Sequence, residues 1–251
     1  MSYLGSYYVS MEQDKTELEK VLDVYSAAKQ IKYIYDEKNK LIPVDRIGKI
    51  GKGVCYDHCR YQGMLAKNYG LEYRCYVFIS VDSTGNYAYT GPKEDLGKHN
   101  HGMCMIHGDG RWWLCNTTGD RKQLYWCEED DLESVLAAYI RARTLMVNRS
   151  DVPDAEPMRE LRSSGLSISQ SIAGNFAKYM ERYSQSVGEE IYEVSDFTDR
   201  KYDGMTYSAL TKYIQKNFTP HVFPDKVVEE YTRGKGRSFF QIMKPLGLDR
   251  I

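Results

Sequence analysis

Apolar and polar positions follow two rhythms along this chain. Between 14 and 38, DKTELEKVLDVYSAAKQIKYIYDEK, the residues Leu18, Val21, Leu22, Tyr25, Ala28 and Ile31 recur at three- and four-residue intervals. That is the spacing of one helix face. Pro43 and the glycines of NKLIPVDRIGKIGKG interrupt it. The pattern then predicts a helix over 54–68, with Gly70 as its stop. LEYRCYVFISV, 71–81, is dense in β-branched and aromatic residues and predicts a strand. GNYAYTG reads as a short strand or turn, followed by a polar loop to 98. Two strands are expected at 101–107 and 111–117, joined by GDGR, where the pair Asp109-Gly110 is a hairpin signal. A helix is expected at 129–143 and a boundary in the polar stretch 148–160, which carries Pro153 and Pro157. Further helices are expected near 168–184, 205–216 and 224–232, before a basic tail. This order predicts an α+β fold. Its core, 1–147, has N-terminal helices packed on an antiparallel sheet, and 148–251 is a mostly helical C-terminal extension.

The chain has 251 residues, of which 42% are apolar, enough for a sizeable core. A formal net charge of −1 gives no global case for nucleic acid or for an anionic membrane as a partner. No stretch has the unbroken apolar length of a membrane span. The start, MSYLGSYYVSMEQDK, lacks a basic segment followed by an apolar block. The expected location is therefore cytoplasmic, without a signal peptide. Six cysteines all fall between 55 and 127, as do four of the five histidines. In that context reduced thiols, most of them core residues, are the expectation.

The chemistry concentrates there. Cys55 stands at or just before the start of the second helix, where unpaired amides and a partial positive charge stabilise a thiolate. Gly53 is expected to admit a close-approaching chain. A nucleophilic cysteine needs a base in hydrogen-bond reach. His58 is nearest in sequence, but its ring projects along the helix surface, and it reads as a partly exposed helix residue. The hairpin offers another histidine. With Asp109 and Gly110 as a two-residue turn, paired positions sum to 219, so Met103 faces Asn116 and His101 faces Thr118. His101 and Asn116 are then diagonal neighbours on one face, about 7–8 Å apart at the backbone. An asparagine carbonyl there can accept the imidazole N–H and fix its tautomer. A one-residue slip would put the two on opposite faces.

These residues carry a resemblance. GVCYDHCRYQGMLAKNYGLEYRCYVF resembles the nucleophile segment of the transglutaminase-like superfamily, with Gly53, Cys55, Asp57, Leu65, Gly70, Leu71 and Arg74 in matching places. HGMCMIHGDGRWWLCNTTG resembles its second block through His101, Trp112, Asn116 and Thr118. The two blocks span roughly 50–120. Two positions depart from the pattern: Met103 stands where the family usually has Trp, and Asn116 where it usually has Asp. The resemblance implies a papain/transglutaminase-like core and cysteine-dependent acyl transfer on amide bonds of a peptide or protein substrate. In it Cys55 is the nucleophile, His101 the acid–base, and Asn116 the residue that orients His101. The Cys55 amide is one oxyanion donor, and the second is left open. A hydrolase (peptidase or amidase) is the leading expectation, with a protein-crosslinking or amine-transferring transglutaminase as the alternative. No cofactor or metal is expected.

A zinc-binding module is a rival, from Cys55, His58, Cys59, His99, His101, Cys104 and His107. It is weakened because Cys104 should point away from His101. A catalytically silent interaction module is a second rival, opposed by the presence of all three triad positions.

Overall fold

The computed structural model describes residues 15–34, 40–81, 100–118, 123–126, 132–133, 136 and 188–222. Helix α1 spans Glu17–Lys29. Thr16 opens it, accepting the Glu19 amide at 3.3 Å while the Glu19 carboxylate accepts the Thr16 amide at 2.8 Å. This reciprocal cap is the one TELE encodes. The helix ends well short of 38. Ile31 turns into a small cluster with Val44 and Ile47, and Lys32–Tyr33 (β1) pairs in parallel with Lys52–Gly53 (β2). Apolar spacing alone cannot distinguish a continuing helix from a chain whose next apolar residue enters a different cluster.

A short 3-10 turn at Val44–Arg46 leads into α2, Ile47–Ile50, closed by Gly51 at φ 67°. Helix α3 is Cys55–Asn68, with Gly70 at φ 71° just beyond it, as the sequence predicts. Strands β3 (Tyr73–Val81), β4 (His101–Gly108), β5 (Arg111–Asn116), β6 (Gln123–Trp126) and β7 (Gly188–Glu193) form one sheet in the order β6-β5-β4-β3-β7. Every pairing within this sheet is antiparallel. Helix α4, Tyr207–Asn217, follows a turn after β7. The described chain is thus mixed α+β, with helices on an antiparallel sheet.

Alternation sorts the sheet into two faces. Cys75, Val77, Ile79, Cys104, Ile106, Trp113 and Cys115 share a core with Val21 and Val24 of α1, Cys55 and Cys59 of α3, and Leu210 and Ile214 of α4. The other face carries Tyr76, Phe78, Met103, Met105, Trp112, Leu114 and Ile191, which are also buried. Burial on both faces explains why β3 reads as an almost unbroken apolar run.

The described part of the expected extension contributes a strand and a helix to this same core. β7 lies along β3 over six residue pairs, and α4 joins the helical face. The expected helices at 129–143, 168–184 and 224–232, the strand or turn at GNYAYTG and the boundary at 148–160 lie outside the described residues, save 132, 133 and 136 within the first. The expected helix at 205–216 is α4. Among the described residues no helix is long and apolar enough to cross a membrane.

Candidate active site

Cys55 is the first residue of α3, 1% exposed, on the side that faces the sheet. Asp57, two residues on, holds this helix start in place. Its carboxylate accepts the Val54 amide at 3.1 Å and the Ile42 amide at 2.9 Å, tying the residue before Cys55 to the loop after 40. Burial pushes the Asp57 carboxyl up to about 6, against the opposing pull of these two amides and of Arg60. The need for Gly53 follows. A Cβ there would sit 2.7 Å from the Asp57 Cβ, so the space the glycine leaves is filled by Asp57 and not by a neighbouring chain. Arg60, wholly buried, donates to the carbonyls of Ile42, Phe197 and Asp199 and pairs with Asp203. It fastens α3 to the segment that follows β7.

His101 begins β4 and Asn116 ends β5. Asp109 and Gly110 have φ of 55° and 69°, the pair of left-handed residues that a type I′ turn requires. The partners Gly108 and Arg111, His107 and Trp112, through to Cys104 and Cys115, follow the register expected from the sequence. Continued for one more pair, this register sets Asn116 opposite Met103, on the His101 face. The Asn116 Oδ1 accepts the Thr118 amide at 3.4 Å, and a carbonyl oxygen has a second lone pair for an imidazole N–H.

Cys55 reaches this end of the hairpin through the backbone on either side of His101. On one side, the Tyr207 hydroxyl of α4 lies 3.5 Å from the Cys55 Sγ and donates to the Asn100 carbonyl at 3.1 Å. On the other, Gly102 is pressed against Tyr56. A Cβ on Gly102 would meet the Tyr56 ring at 2.5 Å and its Cα at 3.3 Å. Gly102 therefore faces α3, and His101 leaves the strand from the opposite face.

His58 is not the partly exposed residue that its sequence position indicates. It is 1% exposed, with Nδ1 2.9 Å from the Thr117 Oγ1. Gln62 donates to the same hydroxyl at 3.0 Å and to the Cys115 carbonyl at 3.2 Å. Helix α3 is enclosed by α1, the sheet and the loops that Asp57 and Arg60 hold, so most of its sides are interior and its polar side chains need partners. His58 and Gln62 clamp β5 on either side of Asn116. Neither contact is legible from spacing, because each joins residues more than fifty positions apart.

Two further residues were missed. Tyr207 belongs to a segment that matches no motif. Asn100 precedes the catalytic candidate: it is fully buried, and its Oδ1 accepts the Ser80 amide at 3.1 Å. Cys59, Cys75, Cys104 and Cys115 are free thiols in the core, and burial pushes Cys59, Cys104 and Cys115 upward. Arg74 lies on the surface between Glu72 and Glu193. Among the described residues no group of three or more His, Cys, Asp or Glu side chains could hold a metal ion, while His99 and Cys127 lie outside them.

No protein-family model matches the chain, and no curated protein matches it by sequence.

Proposed function

We propose that the protein is a cysteine-dependent acyl-transfer enzyme acting on amide bonds of a peptide or protein, with Cys55, His101 and Asn116 as its catalytic residues. The reading joins the sequence resemblance to the transglutaminase-like superfamily, with its papain-like core, to one structural observation. Cys55 opens a buried helix, and a single hydroxyl links its sulfur to the residue before His101. The register that places Asn116 on the His101 face is the second support.

The steps follow from the atoms available. The Cys55 thiolate attacks the amide carbon, and the carbonyl oxygen becomes an oxyanion facing the helix N-terminus and the Cys55 amide. His101 hands its proton to the departing amine, so the C–N bond breaks and a thioester remains. Asn116 holds the imidazole in the tautomer that performs this transfer. Water, deprotonated by His101, then releases the acid and restores the thiol. Hydrolysis is the outcome that the resemblance favours, and capture of the thioester by a primary amine in place of water is the transglutaminase alternative.

A peptide library, turned over with and without an added primary amine, tests this. Cys55→Ala is expected to abolish amide cleavage with an unchanged melting temperature within a few degrees. Iodoacetamide is expected to label Cys55 before the core thiols near neutral pH. Transfer of the acyl group to the amine in preference to water would replace the hydrolase with a transglutaminase. Full turnover by the Cys55→Ala protein would remove the reading.

A further inference from the structure

Tyr207 is the polar group that α4 brings to Cys55, and the acyl-transfer steps of Cys55 and His101 make no use of it. The ring is fixed on three sides. It stacks on Tyr56, the residue after the nucleophile, with centroids 4.5 Å apart and planes 21° apart. Its hydroxyl lies between the Cys55 Sγ at 3.5 Å and the Asn100 carbonyl at 3.1 Å. Its backbone carbonyl accepts the Thr211 hydroxyl at 3.0 Å inside α4, and Thr206 caps that helix through the Ala209 amide at 3.3 Å. A tyrosine held this firmly can rotate little except its O–H bond.

That bond has one proton and two acceptors within reach. While Cys55 is a thiol, S–H can donate to the Tyr207 oxygen, and the phenol donates onward to the Asn100 carbonyl. When the sulfur loses its proton, a thiolate is the stronger acceptor, and a turn of the phenol O–H redirects its hydrogen bond to the sulfur without moving a heavy atom. Burial, and behind it the charge at Cys55, hold the Tyr207 phenol well above its ordinary range, so it keeps its proton and serves as donor, not base.

We propose that Tyr207 is a catalytic residue that donates its hydroxyl hydrogen bond to the Cys55 thiolate and, when that thiolate adds to the amide carbon, to the oxyanion of the tetrahedral intermediate. The oxyanion oxygen stands two bonds from the sulfur, so a hydroxyl beside the sulfur can turn to it when the thiolate adds to the amide carbon. The role rests on the acyl-transfer reading for its second half only. The first half concerns the thiol alone.

The test is the pH profile of iodoacetamide labelling at Cys55 in the full chain, read by peptide mass. Tyr207→Phe keeps the ring and its stacking and removes the hydroxyl. It is expected to move the labelling midpoint up by about one pH unit and to slow labelling about tenfold at pH 7. Replacing Tyr207 with 3-fluorotyrosine, a stronger donor of nearly the same shape, is expected to move the midpoint down. This second arm still decides the matter if the Phe variant fails to fold. A Phe profile that overlays the wild type in a folded protein, or a fluorotyrosine profile that does not move, overturns the proposal. For amide turnover, Tyr207→Phe is expected to lower kcat at least a hundredfold with KM within threefold. Shifted labelling in a protein that cleaves no amide would keep the thiolate donor and discard the acyl-transfer reading. Unchanged turnover in the Phe variant would discard the donor and keep that reading.

Discussion

At one end of the β4–β5 hairpin, Asp109 and Gly110 turn the chain with their own backbone angles. At the other end stand Asn100 and His101 on one strand and Asn116 and Thr117 on the other, and there the strands are held from outside. Tyr207 holds the Asn100 carbonyl, Tyr56 packs on Gly102, and His58 and Gln62 hold Thr117. The turn end is set by its own backbone angles and has exposed central residues, with α1 touching it through the Asp109 amide, which donates to the Glu17 carboxylate at 2.8 Å. The open end is buried and assembled from α3, α4 and two strands. A local turn sets register for the whole hairpin. Only the assembled end can gather groups from distant parts of the chain and shield them from water, and it is there that the candidate chemistry lies.

Substitutions at the two ends should therefore differ in kind. The largest effect is expected from Gly102→Ala, whose new methyl group collides with both the ring and the backbone of Tyr56. Overpacking of this sort costs about 3 kcal/mol, and it pushes His101 away from the start of α3. Loss of stability in chemical denaturation should come with a loss of Cys55 labelling; normal labelling would mean that the head of β4 is looser than described. Thr117→Val comes next. It keeps the shape but leaves His58 Nδ1 and one Gln62 bond without the shared hydroxyl, a cost of about 2 kcal/mol. Turnover should fall with it because Asn116 is the adjacent residue, and a stable Thr117→Val protein would show that the clamp on β5 lies elsewhere. The smallest effect belongs to the turn. Gly110→Ala forces a side chain into the left-handed region and costs about 1 kcal/mol. Its melting temperature should drop while Cys55 labelling and turnover per folded molecule stay at wild-type values. A change in either would tie the turn to the site and erase the distinction between the two ends.

The same contrast governs what the sequence made legible. Signals that act within a few residues are readable: the span of α3 to its Gly70 stop, the Asp109-Gly110 turn and the register counted from it. Placing His101 and Asn116 on one face needed only that register. What could not be read depended on residues distant in the chain. The early end of α1 is set by pairing with β2, and the burial of His58 by Thr117. The membership of 188–222 in the core is set by β3 and by Arg60. Gly53 stands out in the sequence, but its cause, the folded-back Asp57 side chain, is a position that no motif spells out.

The partnership of Cys55 with Tyr207 also has a meaning in time. The two residues are 152 positions apart. A ribosome adding about 5–20 residues per second makes the second about 8–30 s after the first. The helix that carries the thiol can form early, but the hydroxyl beside it, the β7 edge and the acceptors of Arg60 all arrive late. A nascent chain can therefore bear its sulfur through most of its own synthesis before α4 closes against it.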